Sequence, residues 1–218
     1  MKKTFYAAFV FAAISLTSCG GEEATETTNE TEETQEIIST SYELVNESSS
    51  LNWRGAWLVP GEDGQMMEFK NHIGSVAFNE GYANVEGDDV SADFVIDMNS
   101  ISNEDLAEDP KEQAKLENHL KDETFFKVED FMVAKAHIKS IEGGMAHLVI
   151  SVAGVELENK VPVTTSTNGD EMTIEGEFTM DFSSLEMPMT MPNPEKLEDG
   201  HINPEFGFTV KAVFNKKA

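Results

Sequence analysis

Residues 172–182 read Met-Thr-Ile-Glu-Gly-Glu-Phe-Thr-Met-Asp-Phe. Met172, Ile174, Phe178, Met180 and Phe182 share one parity; Thr173, Glu175, Glu177, Thr179 and Asp181 share the other. A strand sends successive side chains to opposite faces, so this stretch has one apolar face and one wetted face. A wetted face implies antiparallel pairing, because a parallel sheet is buried on both sides.

The same period of two governs most of the chain. In 93–98, Phe94, Ile96 and Met98 alternate with aspartates. In 155–163, Val155, Leu157, Val161 and Val163 alternate with Glu156, Glu158 and Lys160. In 206–214, Phe206, Phe208, Val210, Ala212 and Phe214 share a parity. In 51–59, Leu51, Trp53, Trp57 and Val59 are expected on one face, with Asn52 and Arg54 opposite. Hairpin turns are expected at Gly61-Glu62-Asp63-Gly64, Asn79-Glu80-Gly81, Glu86-Gly87-Asp88, Glu142-Gly143-Gly144 and Asn168-Gly169-Asp170. One helix is expected, over 110–121, with Pro110 in its first turn, Asp109 as cap, and Ala114, Leu116 and Leu120 as its apolar stripe. Many short strands with one helix point to an all-β barrel or sandwich.

The N-terminus carries a different pattern. Lys2 and Lys3 precede the apolar run Phe5–Ile14, and small polar residues follow. This is the layout of a secretory signal, and the run is shorter than the roughly 20 residues that span a bilayer. Leu16-Thr17-Ser18-Cys19 resembles a bacterial lipobox, which implies cleavage after residue 18 and acylation of Cys19, the sole cysteine. Several acyl chains hold a membrane firmly where one does not. Residues 19–41 then read as an acidic tether. Glu22, Glu23, Glu26, Glu30, Glu32, Glu33 and Glu36 lie there without a Lys, an Arg or an aromatic residue. Such a composition predicts an extended, disordered spacer. Gly20 and Gly21 stand where an inner-membrane retention aspartate would be, so an outer-membrane location is expected. The organisation expected is therefore signal peptide 1–18, acylated tether 19–41 and domain 42–218.

The formal charge of −26 disfavours nucleic acid and anionic lipid headgroups as partners. Attachment then falls to the acyl anchor. No G-x-S-x-G, H-E-x-x-H or P-loop pattern occurs, so no enzyme activity is expected.

The central block resembles the YceI-like family of exported bacterial proteins. The resemblance rests on Phe94-Val95-Ile96-Asp97-Met98-Asn99-Ser100-Ile101 followed by Lys115-Leu116-Glu117-Asn118-His119-Leu120-Lys121-Asp122-Glu123-Thr124-Phe125-Phe126-Lys127-Val128-Glu129. Trp53-Arg54-Gly55 and His72-Ile73-Gly74 also sit in family order, and the likeness spans roughly 42–214. It implies a lipocalin-like barrel of eight antiparallel strands holding an amphiphile such as a polyisoprenoid or an isoprenoid quinone, with no other cofactor. The chain departs from the family at Phe131-Met132, at Ala136, around Gly154, and at Phe182-Ser183-Ser184-Leu185, where the family carries an arginine. That loss, with the acidic charge, favours a neutral ligand over a pyrophosphate.

On this reading the ligand contacts are Trp53, Trp57, Phe94, Ile96, Met98, His119, Phe125, Phe126, Phe178 and Met180. Two roles are open to His119: binding a ligand headgroup, or closing the end of its own helix. Between Phe125 and Phe126, one is expected on the cavity and the other in plain core. Two alternative functions follow from other features. Met187, Met189 and Met191 offer thioethers that suit Cu(I), with His201 ten residues on. A filled barrel with an acidic surface would instead make an interaction protein. His137 and His147 flank a Gly-Gly turn and are candidates to face each other across a hairpin.

Overall fold

The computed structural model describes residues 39–190, 193, 195, 196 and 199–218. The signal peptide, Cys19, nearly all of the tether and Met191 lie outside the described residues. The described chain is an antiparallel β-structure with one helix. Its strands are β1 (Ser39–Leu44), β2 (Ser50–Pro60), β3 (Met66–Glu86), β4 (Asp89–Asn103), β5 (Val133–Glu142), β6 (Met145–Val152), β7 (Val155–Pro162), β8 (Thr164–Asn168), β9 (Glu171–Asp181), β10 (His201–Ile202) and β11 (Glu205–Lys216). Helix α1 spans Pro110–Lys121.

Eight positions around a barrel account for ten of these strands, because two positions are each shared by a broken strand; the short β10 pairs with β2 outside that ring. β1 and β2 take turns between β3 and β11: β1 pairs Ser39–Glu43 with Tyr82–Glu86, and β2 pairs Asn52–Pro60 with Met66–Ser75. Ser49 stitches the break. Its hydroxyl donates to the Val45 carbonyl at 2.8 Å and accepts from the Val213 N–H at 3.0 Å. β7 and β8 are likewise one run bent at Val163, with β7 on β6 and β8 on β9. β9 pairs with β11 along its length, and β11 returns to β2. β3, β4, β5 and β6 fill the remaining positions in chain order, with hairpins between β3 and β4 and between β5 and β6, and with α1 carried in the connection from β4 to β5.

The alternation in 172–182 is realised as expected, with Met172, Ile174 and Met180 buried and Glu171, Glu175 and Glu177 exposed. Two sequence expectations need correction. Asn79-Glu80-Gly81 is not a hairpin turn; it lies inside β3, where the register with β4 slips between Phe78 and Glu80. A Cβ at Gly81 would stand 3.1 Å from Leu44 and Phe94, so glycine there serves close packing against neighbours rather than a reversal. The turn between β6 and β7 is instead made by Ala153 and Gly154, both at positive φ (48° and 80°), the geometry of a tight type I′ hairpin.

Trp57 and Val59 do not join Leu51 and Trp53 at the cavity. Past Gly55, Ala56 is the buried residue, and β2 leaves β11 to pair with β10. Phe206 packs where a Gly55 side chain would be, 3.0 Å from an ideal Cβ, and past that point β2 keeps β3 on one side but has β10 in place of β11 on the other.

One end of the barrel is solid. Ala83, Ala146, Ala212 and Phe214 are 0% exposed and Met172 is 1% exposed. Phe78, Phe94 and Phe214 stack in series at 5.4 and 5.8 Å between ring centres. The other end is crossed by α1. Asp109 caps the helix, accepting from the Glu112 N–H at 3.3 Å, with Pro110 in the first turn. A buried polar latch then fixes it: Gln113 donates to the Asn103 carbonyl at 2.6 Å, and Glu117 accepts from the Asn103 N–H at 2.8 Å. Asn103 also donates to Asp105 at 2.6 Å and to the Ile73 carbonyl at 3.0 Å.

Candidate functional site

Between the solid end and the helix the barrel is hollow. The cavity measures about 140 Å³ to the centre of a water molecule, and about 1150 Å³ as free space with the open solvent at its mouth included. Its walls are made by Leu, Ile, Val, Ala, Met, Phe, Trp and Gly only. The single polar hydrogen among those side chains, the Trp53 indole N–H, is directed at the Ser75 carbonyl, 3.3 Å away. An apolar cavity of roughly 150 Å³ stays dry and admits apolar guests.

The hollow has a sequence cause. The inward residues of β5 include Ala134 and Ala136, and Gly176 stands on the inward parity of β9. Large side chains at these three points would close the space. Phe178, Phe206 and Phe208 supply aromatic wall, with Phe178 and Phe208 rings 6.0 Å apart.

Of the ten residues expected at the ligand, Trp53, Phe94, Ile96, Met98, Phe126, Phe178 and Met180 line the cavity. Trp57, His119 and Phe125 do not. The Trp57 indole donates to the Asp199 carbonyl at 3.2 Å, where β2 pairs with β10. Phe125 is 2% exposed and sits behind Phe126, edge-on at 4.9 Å, so Phe126 is the wall and Phe125 the support. His119 lies on the outward side of α1, its Nδ1 3.1 Å from Asp122, which follows the helix. It faces a polar recess of about 300 Å³ shared with Lys70, His72, Asp109 and Lys115. Sequence reasoning left out Phe182, Phe206 and Phe208. The parity of 206–214 already marked the last two as inward.

Two carboxylates in the helix region are held below the ordinary carboxylate range. Burial opposes the charge on Asp105, but the Ile73 N–H, His72 and Asn103 outweigh it by hydrogen bonding. Burial likewise opposes Asp122, and bonds from Thr124 and His119 outweigh it. Both groups stay ionised and anchor polar structure around the helix, outside the cavity.

The remaining candidates separate. His137 Nδ1 meets Asp93 of β4 at 2.7 Å, while His147 meets Glu158 of β7, so the two histidines turn to opposite neighbours rather than to each other. Met187 is 2% exposed within the hydrophobic core. His201 is a buried residue of β10 paired with Leu58. Among the described residues, no group of three or more His, Cys, Asp or Glu side chains is placed to hold a metal.

The family model described as YceI-like domain matches residues 42–214. Among solved structures, the chain is similar to BcnA of Burkholderia cenocepacia, at 17% identity and a TM-score of 0.53, with 78% of this chain and 98% of that one covered. It is similar also to a polyisoprenoid binding domain from Saccharophagus degradans implicated in plant cell wall breakdown, at 11% identity and a TM-score of 0.53, with 84% and 100% covered. At these identities the likeness is one of fold. No curated protein matches the sequence.

Proposed function

The chain belongs to the YceI-like family, and we propose that it is a membrane-anchored binding protein whose barrel shelters the apolar chain of an amphiphile, of the polyisoprenoid or isoprenoid-quinone class. The observation that carries this reading is the cavity wall, which offers apolar contact alone. Each methylene moved from water into such a wall gains about 0.8 kcal/mol, so a multi-unit isoprenoid chain has ample driving force. The purely apolar contact of the wall suits carriage or sequestration of a guest. The fold supports it too, since a structural neighbour bears the description of a polyisoprenoid binding domain.

The lipobox at Cys19 would keep this barrel beside the membrane, the outer one on the Gly20-Gly21 reading, where such amphiphiles reside. The test is an organic extract of the purified protein, read by mass spectrometry, beside an Ala136→Phe variant that fills the cavity. A lipid present in the first and lost in the second is the guest; acyl chains on Cys19 are covalent and stay behind. Equal extracts from both proteins would refute the reading. Release of the protein from the membrane fraction by Cys19→Ala tests the anchor separately.

A further inference from the structure

The barrel closes by hydrogen bonds at one end only. β8 pairs Thr164–Asn168 with Glu171–Glu175 of β9, and there the pairing stops. From Gly176 to Asp181 β9 has β11 on one side and no ladder on the other, while β7 from Val155 to Pro162 has β6 alone. Among the described residues no backbone hydrogen bond joins β7 to β9. Gly176 marks the last close approach, since a Cβ there would stand 3.0 Å from the Pro162 carbonyl. Beyond it the two strands part toward the helix end, and each presents an unpaired edge of N–H and C=O groups.

This seam adjoins the cavity: Val161, Val163, Gly176 and Phe178 all line it. The seam also holds a polar group at an inward position. Asn159 falls between buried Leu157 and Val161 on the inward parity of β7, opposite Leu148. It is half-buried, and its side-chain amide makes no hydrogen bond to any described residue. An amide at the edge of an apolar wall, open to solvent and bonded to no protein group, is available to a polar group of a guest. The rim carries Glu156, Glu177 and Asp181 against Lys160, with Glu158 bonded by Lys139 and His147, so an anion is repelled there.

Resting on the reading that the barrel carries an amphiphile, we propose that the parted seam between β7 and β9 receives the ligand's polar head, that this head is an uncharged hydroxyl or carbonyl group, and that Asn159 binds it. The apolar chain lies in the cavity, and the head hydrogen-bonds to the Asn159 amide and the free strand edges.

The test uses the purified full chain and three probes with one C20 isoprenoid skeleton: geranylgeraniol, geranylgeranyl diphosphate and the headless hydrocarbon phytane. Binding is read by displacement of the fluorescent apolar dye N-phenyl-1-naphthylamine. The alcohol should bind more tightly than the diphosphate. Asn159→Leu and Asn159→Ala should each weaken the alcohol about three- to tenfold, the range of one lost hydrogen bond, and leave phytane unchanged. Melting curves matching the parent confirm that both variants are folded. An unchanged alcohol affinity, an equal loss for alcohol and phytane, or a diphosphate that binds best would each overturn the head site while leaving the cavity reading intact. Failure of all three probes to displace the dye would refute the cavity reading itself.

Discussion

The two ends of this barrel are built from the same alternating strands and differ in how their interiors are filled. At the β3–β4 hairpin end, Phe214 meets Met172 and Ala83, all but fully buried, and Phe78 and Phe94 stack on Phe214 as the floor of the cavity. Toward the helix, the small residues Ala134, Ala136 and Gly176 leave a gap walled by Phe178 and Phe208. One end secures the fold; the other trades packing for room. The seam follows the same division, bonded where the interior is solid and parted where it is hollow.

Substitutions should separate the ends by size of effect. Phe214→Ala, at 0% exposure, should cost about 3–5 kcal/mol in urea unfolding. Next comes Gly74→Ala, because a Cβ there would meet the Ser102 carbonyl at 1.9 Å and the Trp53 ring at 2.5 Å. Overpacking against backbone should cost about 1–3 kcal/mol. The helix latch should rank close behind. Asp105 is held below its ordinary pKa, so its contribution is complete above about pH 4 and is lost as pH falls through the lower folded value. Asp105→Asn should therefore remove about 2 kcal/mol at neutral pH and flatten the acid limb of the stability profile. Phe208→Ala, on the hollow side, should cost only about 1–2 kcal/mol while altering uptake of apolar guests. If Phe208→Ala proves as costly as Phe214→Ala, the hollow end is packed as tightly as the solid one and the contrast fails.

Much of the fold was legible because it follows from local rules. Asp109, Pro110 and the stripe through Leu120 define a helix over the same residues in sequence and structure. The period of two in 172–182 and 206–214 assigned inward and outward faces correctly, because alternation is a property of extended backbone itself. Where reading failed, a non-local partner decided. Asn79-Glu80-Gly81 has turn composition, yet Gly81 is there to admit Leu44 from β1 and Phe94 from β4. Trp57 keeps the parity of Trp53, but past Gly55 the strand has β10 in place of β11 beside it, and Trp57 does not reach the cavity. Phe125 and Phe126 are adjacent and alike, and only the packing of Phe206 and Phe182 around them decided which faces the cavity.

The sequence by itself determined the strand faces, the helix, the acidic surface and the family, since each is written in neighbouring residues. Tertiary structure alone decided that the interior is hollow at one end, that the barrel is unbonded along β7 and β9, and that Asn159 stands at that opening. The physical reason is distance along the chain. A cavity is the volume that side chains from many strands leave unfilled, and a seam is a hydrogen bond missing between residues far apart in sequence. Neither can be read from any one segment.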